Sequence, residues 1–305
     1  MDLSNKGDLV KYLKQSGLWA KKSLGQNFLV DKKVLSKIIE SAELKPTDTV
    51  LEIGPGIGTL TQELIKHAGK IIAVEKDDEL ARKLNVNCQL SNCLIGNRRR
   101  GDVENIEILN QDILDFDLTK LIQLEGKSPD DLEISGSRSE HRDYKLVSNI
   151  PYNITSKILE KFLTAENKPE LIVLLVQKEV AERICAKPGQ TSVLSISVQY
   201  YGKPEIVEIV KSSSFFPEPN VESSILKITN IKSQITKAEE KEFFKIVRAG
   251  FHARRKTLIN NLAVGTNLDK KTLSDILKKM GLSEKVRAQE LSVREWVKLT
   301  KELKN

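Results

Sequence analysis

The stretch that decides the fold is Thr49-Val50-Leu51-Glu52-Ile53-Gly54-Pro55-Gly56-Ile57-Gly58, followed by a helical pattern from Thr59 to His67. The first five residues read as a short β-rich strand. The alternating glycines read as a tight turn whose backbone can approach a ligand closely. A strand that passes through a glycine turn into a helix opens a parallel α/β unit, because parallel strands need a crossover connection. The dinucleotide fingerprint G-x-G-x-x-G is not met, since Gly58 comes one residue early. Pro55 also withholds an amide donor that a pyrophosphate would use.

Outward from this turn the alternation of strand and helix continues. Lys70-Ile71-Ile72-Ala73-Val74-Glu75 is a second strand, followed by a charged helix from Asp77 to Leu84. Glu75 lies about 20 residues beyond the turn, where an acid accepts hydrogen bonds from ribose hydroxyls. A ligand with a ribose but no phosphate fits both features, and S-adenosylmethionine is such a ligand. Ile106 to Leu109, Lys145 to Ser148 and Leu171 to Val176 supply the third, fourth and fifth strands, the last apolar throughout and expected to be buried on both faces. Asp112, just past the third strand, falls at the carboxyl edge of the sheet, where ligands of open α/β sheets bind. There it can accept a hydrogen bond from a cofactor's adenine amine.

Toward the N-terminus, Val34, Leu35, Ile38 and Ile39 recur at helical spacing between an Asp31 N-cap and Ala42. Thr191 to Tyr201 fits helix or strand equally, and Glu205 to Val210 with Ser223 to Ile228 reads as a terminal pair of strands. After Ile231 strand signals stop and helices rich in Lys and Leu follow. The expected organisation is an α/β, Rossmann-like domain over residues 1–230, with residues 1–22 a short helix or arm, and a small basic helical domain over residues 231–305. Asn85 to Asp102, which holds Arg98-Arg99-Arg100, and Gly126 to Arg142 read as polar loop insertions.

Composition narrows the function. Of 305 residues, 39% are hydrophobic, which supports a packed core and argues against wholesale disorder. No apolar run approaches the roughly 18–20 residues that cross a bilayer, and the polar start Met1-Asp2-Leu3-Ser4-Asn5-Lys6 lacks a signal-peptide core. A cytoplasmic protein without membrane contact is expected. Residues 231–305 hold 18 Lys+Arg against 9 Asp+Glu, while the remainder holds 31 against 33. A basic end on a near-neutral body suits a polyanionic partner, and equally a solvated helical surface. Cys88, Cys93 and Cys185 are odd in number, and with His141 they lack the paired spacing of zinc ligands, so reduced thiols and no metal are expected. His67, His141 and His252 show no ligand spacing and no Ser/His/Asp arrangement.

The sharpest motif is Asn149-Ile150-Pro151-Tyr152, directly after the fourth strand. An exocyclic adenine amine is a poor nucleophile because its lone pair is delocalised into the ring. An amide oxygen at Asn149 and a neighbouring backbone carbonyl can accept its two N–H groups, which localises the lone pair and stabilises positive charge developing on nitrogen. Pro151 fixes the backbone that aims the carbonyl. Tyr152 offers a face on which a base splayed out of its helix can stack. Phe215, in Phe215-Phe216-Pro217-Glu218-Pro219-Asn220-Val221, is a candidate to close the other face, although a Phe-Pro cluster also serves as core packing. Methyl transfer from a sulfonium needs neither metal nor covalent nucleophile, and proximity with in-line orientation supplies much of the acceleration.

Lys22-Ser23-Leu24-Gly25-Gln26-Asn27-Phe28-Leu29, the Glu52-Ile53-Gly54-Pro55-Gly56 turn, Asn149 to Tyr152, Leu175-Val176-Gln177-Lys178-Glu179-Val180 and Phe215 to Val221 together resemble the KsgA-type rRNA adenine dimethyltransferases, over nearly the whole chain and in the family's order. The resemblance implies a class I S-adenosylmethionine-dependent methyltransferase sheet. It also implies transfer of four methyl groups to two adjacent adenosines in a hairpin near the 3′ end of small-subunit rRNA, on an immature 30S-type subunit, by a monomer. By motif match it implies Asn27, Leu29, Gly54, Glu75, Asp112 and Asn149 as cofactor residues, and Asn149, Pro151, Tyr152 and Phe215 as the target-base pocket. The two insertions are longer than is usual in the family. A related branch that modifies large-subunit rRNA shares the Asn-x-Pro-aromatic motif, but Phe251-His252-Ala253-Arg254-Arg255-Lys256-Thr257-Leu258 and Arg287 to Ser292 are similar to the small-subunit branch. The alternatives are a non-catalytic RNA-binding assembly factor, which the intact Asn149 and Glu75 disfavour, and a nicotinamide-dependent oxidoreductase, which the glycine spacing disfavours.

Overall fold

The computed structural model describes residues 2–21, 24–89, 105–124, 144–232 and 237–304. Lys22, Ser23, Cys93, Arg98, Arg99, Arg100, His141 and most of the two polar insertions lie outside these residues. In chain order the elements are α1 (Lys6–Ser16), β1 (Phe28–Leu29), α2 (Lys32–Ala42), β2 (Thr49–Ile53), α3 (Thr59–Leu64), β3 (Lys70–Glu75), α4 (Asp78–Gln89), β4 (Ile106–Asn110), α5 (Thr119–Leu124), β5 (Tyr144–Asn149), α6 (Thr155–Thr164), β6 (Leu171–Gln177), α7 (Lys178–Ile184), α8 (Val193–Tyr201), β7 (Lys203–Val210), β8 (Phe215–Phe216), β9 (Ser223–Thr229), α9 (Lys237–Gly250), α10 (Leu258–Thr266), α11 (Lys270–Lys279) and α12 (Val293–Lys304).

The main sheet has the order β4-β3-β2-β5-β6-β9-β7. Strands β2 to β6 run parallel and β9 runs antiparallel to β6. The chain moves outward from β2 through β3 to β4, then returns to the far side of β2 as β5. Sheets reversing in this way open a crevice at the carboxyl ends of the two central strands. Here the β2–β5 ladder pairs Thr49 with Tyr144, Val50 with Lys145 and Leu51 with Leu146. Past that point the buried Ser148 hydroxyl bridges the strands, accepting from Ile53 N at 3.2 Å and donating to Ile53 O. Both backbone polar groups of Ile53 are thus satisfied while the ends spread.

Packing follows the apolar pattern. Val34, Leu35 and Ile38 of α2, Leu60 and Leu64 of α3, and Val173 and Leu175 of β6 belong to one buried cluster. The Asp31 carboxylate caps α2 by accepting from Lys33 N and Val34 N. Residues 1–22 include a packed helix instead of a free arm. Asn5 caps α1, Gly17 ends it at φ 69°, and Leu3, Leu9, Leu13 and Leu18 are buried with Phe28, Ile57 and Leu80. Helix α8 settles the helix-or-strand ambiguity, with Ser192 and Ser195 forming its capping box.

By its contacts the chain divides into residues 1–178 with Glu205–Ile231, and Glu179–Pro204 with Lys232–Asn305. The sequence pattern marks one boundary, at residue 231. The helical unit also takes Glu179–Pro204, because Tyr200 stacks on Phe243 with ring centroids 4.4 Å apart and Tyr201 on Phe244 at 5.8 Å. Within that unit Trp296 of α12 is buried and stacks on Phe251 at 5.6 Å. None of the described helices is long and apolar enough to cross a membrane.

Candidate active site

The glycine turn leaves β2 with Gly54, Gly56 and Gly58 at φ 63°, 61° and 87°, a region that disfavours any residue with a Cβ. A Cβ on Gly56 would also stand 3.1 Å from Phe28 Cε1. Glu75, at the end of β3, holds this turn: its Oε2 accepts from Gly56 N at 2.9 Å and its Oε1 from Asp77 N at 2.8 Å. Burial raises the Glu75 carboxyl above the ordinary range, opposed by those amide hydrogen bonds.

Across the crevice Asn149 ends β5. Its Nδ2 donates to the Asn27 carbonyl at 3.0 Å. A carbonyl can only accept, so this hydrogen bond orients the amide and leaves Oδ1 as its acceptor end. Pro151, at φ −58° and ψ 130°, turns the chain into a short 3₁₀ helix, Tyr152–Ile154, and its carbonyl accepts from Ile154 N at 3.3 Å. The Tyr152 hydroxyl lies 2.6 Å from Ser223 Oγ, and burial raises the phenol above its usual range.

Six of the residues expected from sequence line one pocket: Asn27, Leu29, Gly54, Asn149, Pro151 and Tyr152. Glu75 stands behind them and acts through Gly56. Asp112 lies near the same sheet edge, two residues past β4, and its carboxylate is engaged. Lys76 Nζ donates to its Oδ2 at 2.7 Å, Leu114 N donates to its Oδ1 at 2.9 Å, and the Lys76 hydrogen bond chiefly lowers its pKa. Lys161 Nζ secures the loop beyond by donating to Leu114 O and Phe116 O. Phe215 departs from expectation. It pairs with Leu29 across the β1–β8 ribbon, is fully buried in the core cluster, and is absent from the pocket wall. In the folded chain its ring packs among the core residues behind the ribbon.

Sequence reasoning misses four contributors. Glu52 lines the pocket, is almost wholly buried, and accepts from Thr61 Oγ1 at 2.7 Å. Burial pushes its carboxyl up to about 8, the Thr61 hydrogen bond opposes the rise, and Glu75 adds to it. The available signal is an acid inside an otherwise apolar strand. Thr59 also lines the pocket, and its buried Oγ1 has no hydrogen-bond partner among the described residues. Asp77 anchors the segment before β1 by accepting from Lys21 Nζ at 2.9 Å and Gln26 Nε2 at 3.2 Å. Burial alone would raise its carboxyl, and these two donors hold it below the usual range. Ser148 carries no sequence signal, since its task depends on the spreading of two strands distant in sequence.

The wall suits a nucleoside ligand without a phosphate: the turn lacks a Pro55 amide that a pyrophosphate would use, and the Gly56 N–H is already taken by Glu75. Among the described residues no group of three or more His, Cys, Asp and Glu side chains could hold a metal ion.

Comparison with known proteins identifies the family. The sequence profile of the family described as Ribosomal RNA adenine dimethylase matches residues 17–305. The chain belongs to the ribosomal RNA adenine dimethylase family. Among similar dimethylases, a "Ribosomal RNA small subunit methyltransferase A" from Dehalococcoides mccartyi is 43% identical over 280 residues, covering 92% of this chain and 87% of that protein. A protein of the same name from Alkaliphilus metalliredigens is 37% identical, covering 92% and 91%. The crystal structure of a dimethyladenosine transferase from Plasmodium falciparum superposes with a TM-score of 0.68 at 26% identity, covering 89% of this chain and 95% of that one. That of the 23S rRNA methyltransferase ErmE gives 0.67 at 26%, covering 92% and 100%. This dimethylase therefore carries the class I methyltransferase fold and is an S-adenosylmethionine-dependent rRNA adenine methyltransferase.

Proposed function

We propose that this dimethylase, acting as a monomer in the cytoplasm, converts two adjacent adenosines in the 3′-terminal hairpin of small-subunit rRNA to N6,N6-dimethyladenosine during assembly of the subunit. The observation that carries the reading is the Asn149 amide, turned by the Asn27 carbonyl so that its oxygen is the acceptor end at the pocket wall. Support for the small-subunit branch comes from relatives of that name at 37% and 43% identity. The fold does not choose the branch, since a structure acting on 23S rRNA superposes almost as well.

Asn27, Leu29, Gly54 and Glu75 would hold S-adenosylmethionine, with Asp112 at the edge able to meet its adenine once Lys76 yields. When bound, the cofactor supplies a methyl group already activated by a positive sulfur. The chain does the rest. Asn149 Oδ1 and a backbone carbonyl of the turn set by Pro151 accept the two hydrogens of the target amine and direct its lone pair outward. Tyr152 presents its ring to the unstacked base. In the helical unit Arg254, Arg255 and Lys256 are exposed, and the buried Asn261 amide fixes their loop by donating to Gly250 O at 2.6 Å and Ala253 O at 3.1 Å. They would neutralise RNA phosphates.

The test is tritium transfer from S-adenosylmethionine to undermethylated small subunits, with the modified bases mapped. Dimethylation confined to two neighbouring adenosines of the 3′ hairpin is expected. A protein that binds subunits but transfers no methyl would be an assembly factor only, and methylation of 23S rRNA instead would move it to the other branch.

A further inference from the structure

Within the Asn149–Tyr152 motif two side chains are held by distant parts of the chain. Asn149 is held by a backbone carbonyl of the pocket wall itself, whereas Tyr152 is held by a side chain outside that wall, Ser223, which the reading above gives no role. The Tyr152 hydroxyl and Ser223 Oγ are 2.6 Å apart across 71 residues of sequence. Ser223 is fully buried at the first position of β9, opposite Gln177 at the last position of β6. Its surroundings are fastened twice to the end of β6. Lys178 N donates to Glu222 O at 3.0 Å, and Lys178 Nζ donates to the Glu222 carboxylate at 2.8 Å. The partner of the tyrosine therefore sits on a well-fixed backbone position.

A tyrosine ring on a one-turn 3₁₀ segment is oriented by two torsions, χ1 and χ2. Anchoring its hydroxyl oxygen fixes χ1 and so where the ring lies; the oxygen is on the χ2 axis, and χ2 follows because a phenol hydroxyl hydrogen-bonds in its ring plane, which turns that plane toward Ser223. Burial raises the phenol's pKa, so it stays protonated at working pH, and either hydroxyl can donate to the other.

We propose that Ser223 is a positioning residue for base stacking: its hydroxyl locks the Tyr152 ring in the orientation that receives the target adenine, so that β9 sets the geometry of a motif carried by β5. This inference rests on the reading of Asn149 to Tyr152 as the target-base pocket, and it leaves the cofactor wall untouched. Ser223 acts only through the tyrosine hydroxyl.

The experiment is a double-mutant cycle of Ser223→Ala and Tyr152→Phe, measuring kcat and RNA KM with undermethylated small subunits, S-adenosylmethionine Kd by calorimetry, and thermal midpoint for each protein. Each single variant is expected to lower kcat/KM about tenfold, the scale of one lost hydrogen bond between neutral groups. Cofactor Kd and thermal midpoint should stay near wild type. The double variant should be no worse than either single. A double variant impaired by the product of the two single effects, or Ser223→Ala with full activity, overturns the proposal, as does loss of cofactor affinity in step with turnover. Asn149→Ala serves as the control on the underlying reading. If that variant keeps full turnover, the base-pocket reading falls. If it is inactive while the cycle shows independent effects, the coupling of Ser223 to Tyr152 falls alone.

Discussion

At the residue scale, Asn149 is held through its amide nitrogen by a backbone carbonyl of the pocket wall. It commits its nitrogen to Asn27 O and keeps its oxygen. Asn149→Ala is therefore expected to remove most turnover, while cofactor affinity changes by no more than about tenfold, or 1.4 kcal/mol. Single-turnover methyl transfer beside a cofactor titration checks this, and full activity would exclude Asn149 from the reaction. Glu52 makes a different prediction. Its carboxyl is pushed up to about 8 in the folded chain, so between the ordinary glutamate range and pH 8 the native state binds more protons than the unfolded one. Stability from this group is fully present below the ordinary value of 4.5, falls as pH rises, and is lost by passage through the folded pKa. The slope is at most about 1.4 kcal/mol per pH unit. Glu52→Gln, which cannot ionise, should flatten the fall in thermal midpoint from the ordinary glutamate range up to about pH 8. A parallel fall in the variant would show that Glu52 is already charged.

Elements place these residues, and the glycine turn is the element on which the proposed cofactor wall depends. Gly56 holds a left-handed conformation, donates its N–H to Glu75, and faces Phe28 closely. Gly56→Ala should cost about 1–2 kcal/mol through the backbone alone, with further displacement of Phe28. Chemical denaturation and cofactor binding should both register it, and a variant of unchanged stability would mean that the turn relaxes freely. The turn is legible in sequence because glycine is the residue type that such backbone demands. Phe215 is left between core and base pocket by the sequence because Phe-Pro patterns serve both, and in the folded chain it pairs with Leu29 and is buried. Helix α8 is undecided from pattern because its residues are apolar at both the helical and strand periods. Ser192 caps it and Tyr200 meets Phe243 only in the folded chain.

For the whole molecule, charge is the property that sequence distributes and tertiary structure presents. Arg254, Arg255 and Lys256 occupy an exposed loop in the helical unit, tied down by Asn261. Reversing all three charges should weaken RNA binding and reduce the steepness of its salt dependence, by up to about one unit of log K per log salt for each phosphate no longer neutralised. An unchanged salt slope would remove this loop from the RNA surface. The division into two units likewise depends on residues far apart in sequence. Glu179–Pro204 leaves the sheet domain for the helical one, and no local composition marks its departure.

By itself the sequence determined the strand-turn-helix order, the sulfonium-compatible glycine turn and the motif Asn149 to Tyr152. These are local patterns, dictated by backbone conformation and by the chemistry each residue type carries. Tertiary structure decided which way the Asn149 amide faces, that Ser148 bridges the spreading ends of β2 and β5, that Phe215 is core, and that Ser223 meets Tyr152. Each of those outcomes depends on segments separated by dozens of residues coming together, where only the closed sheet fixes distance and direction.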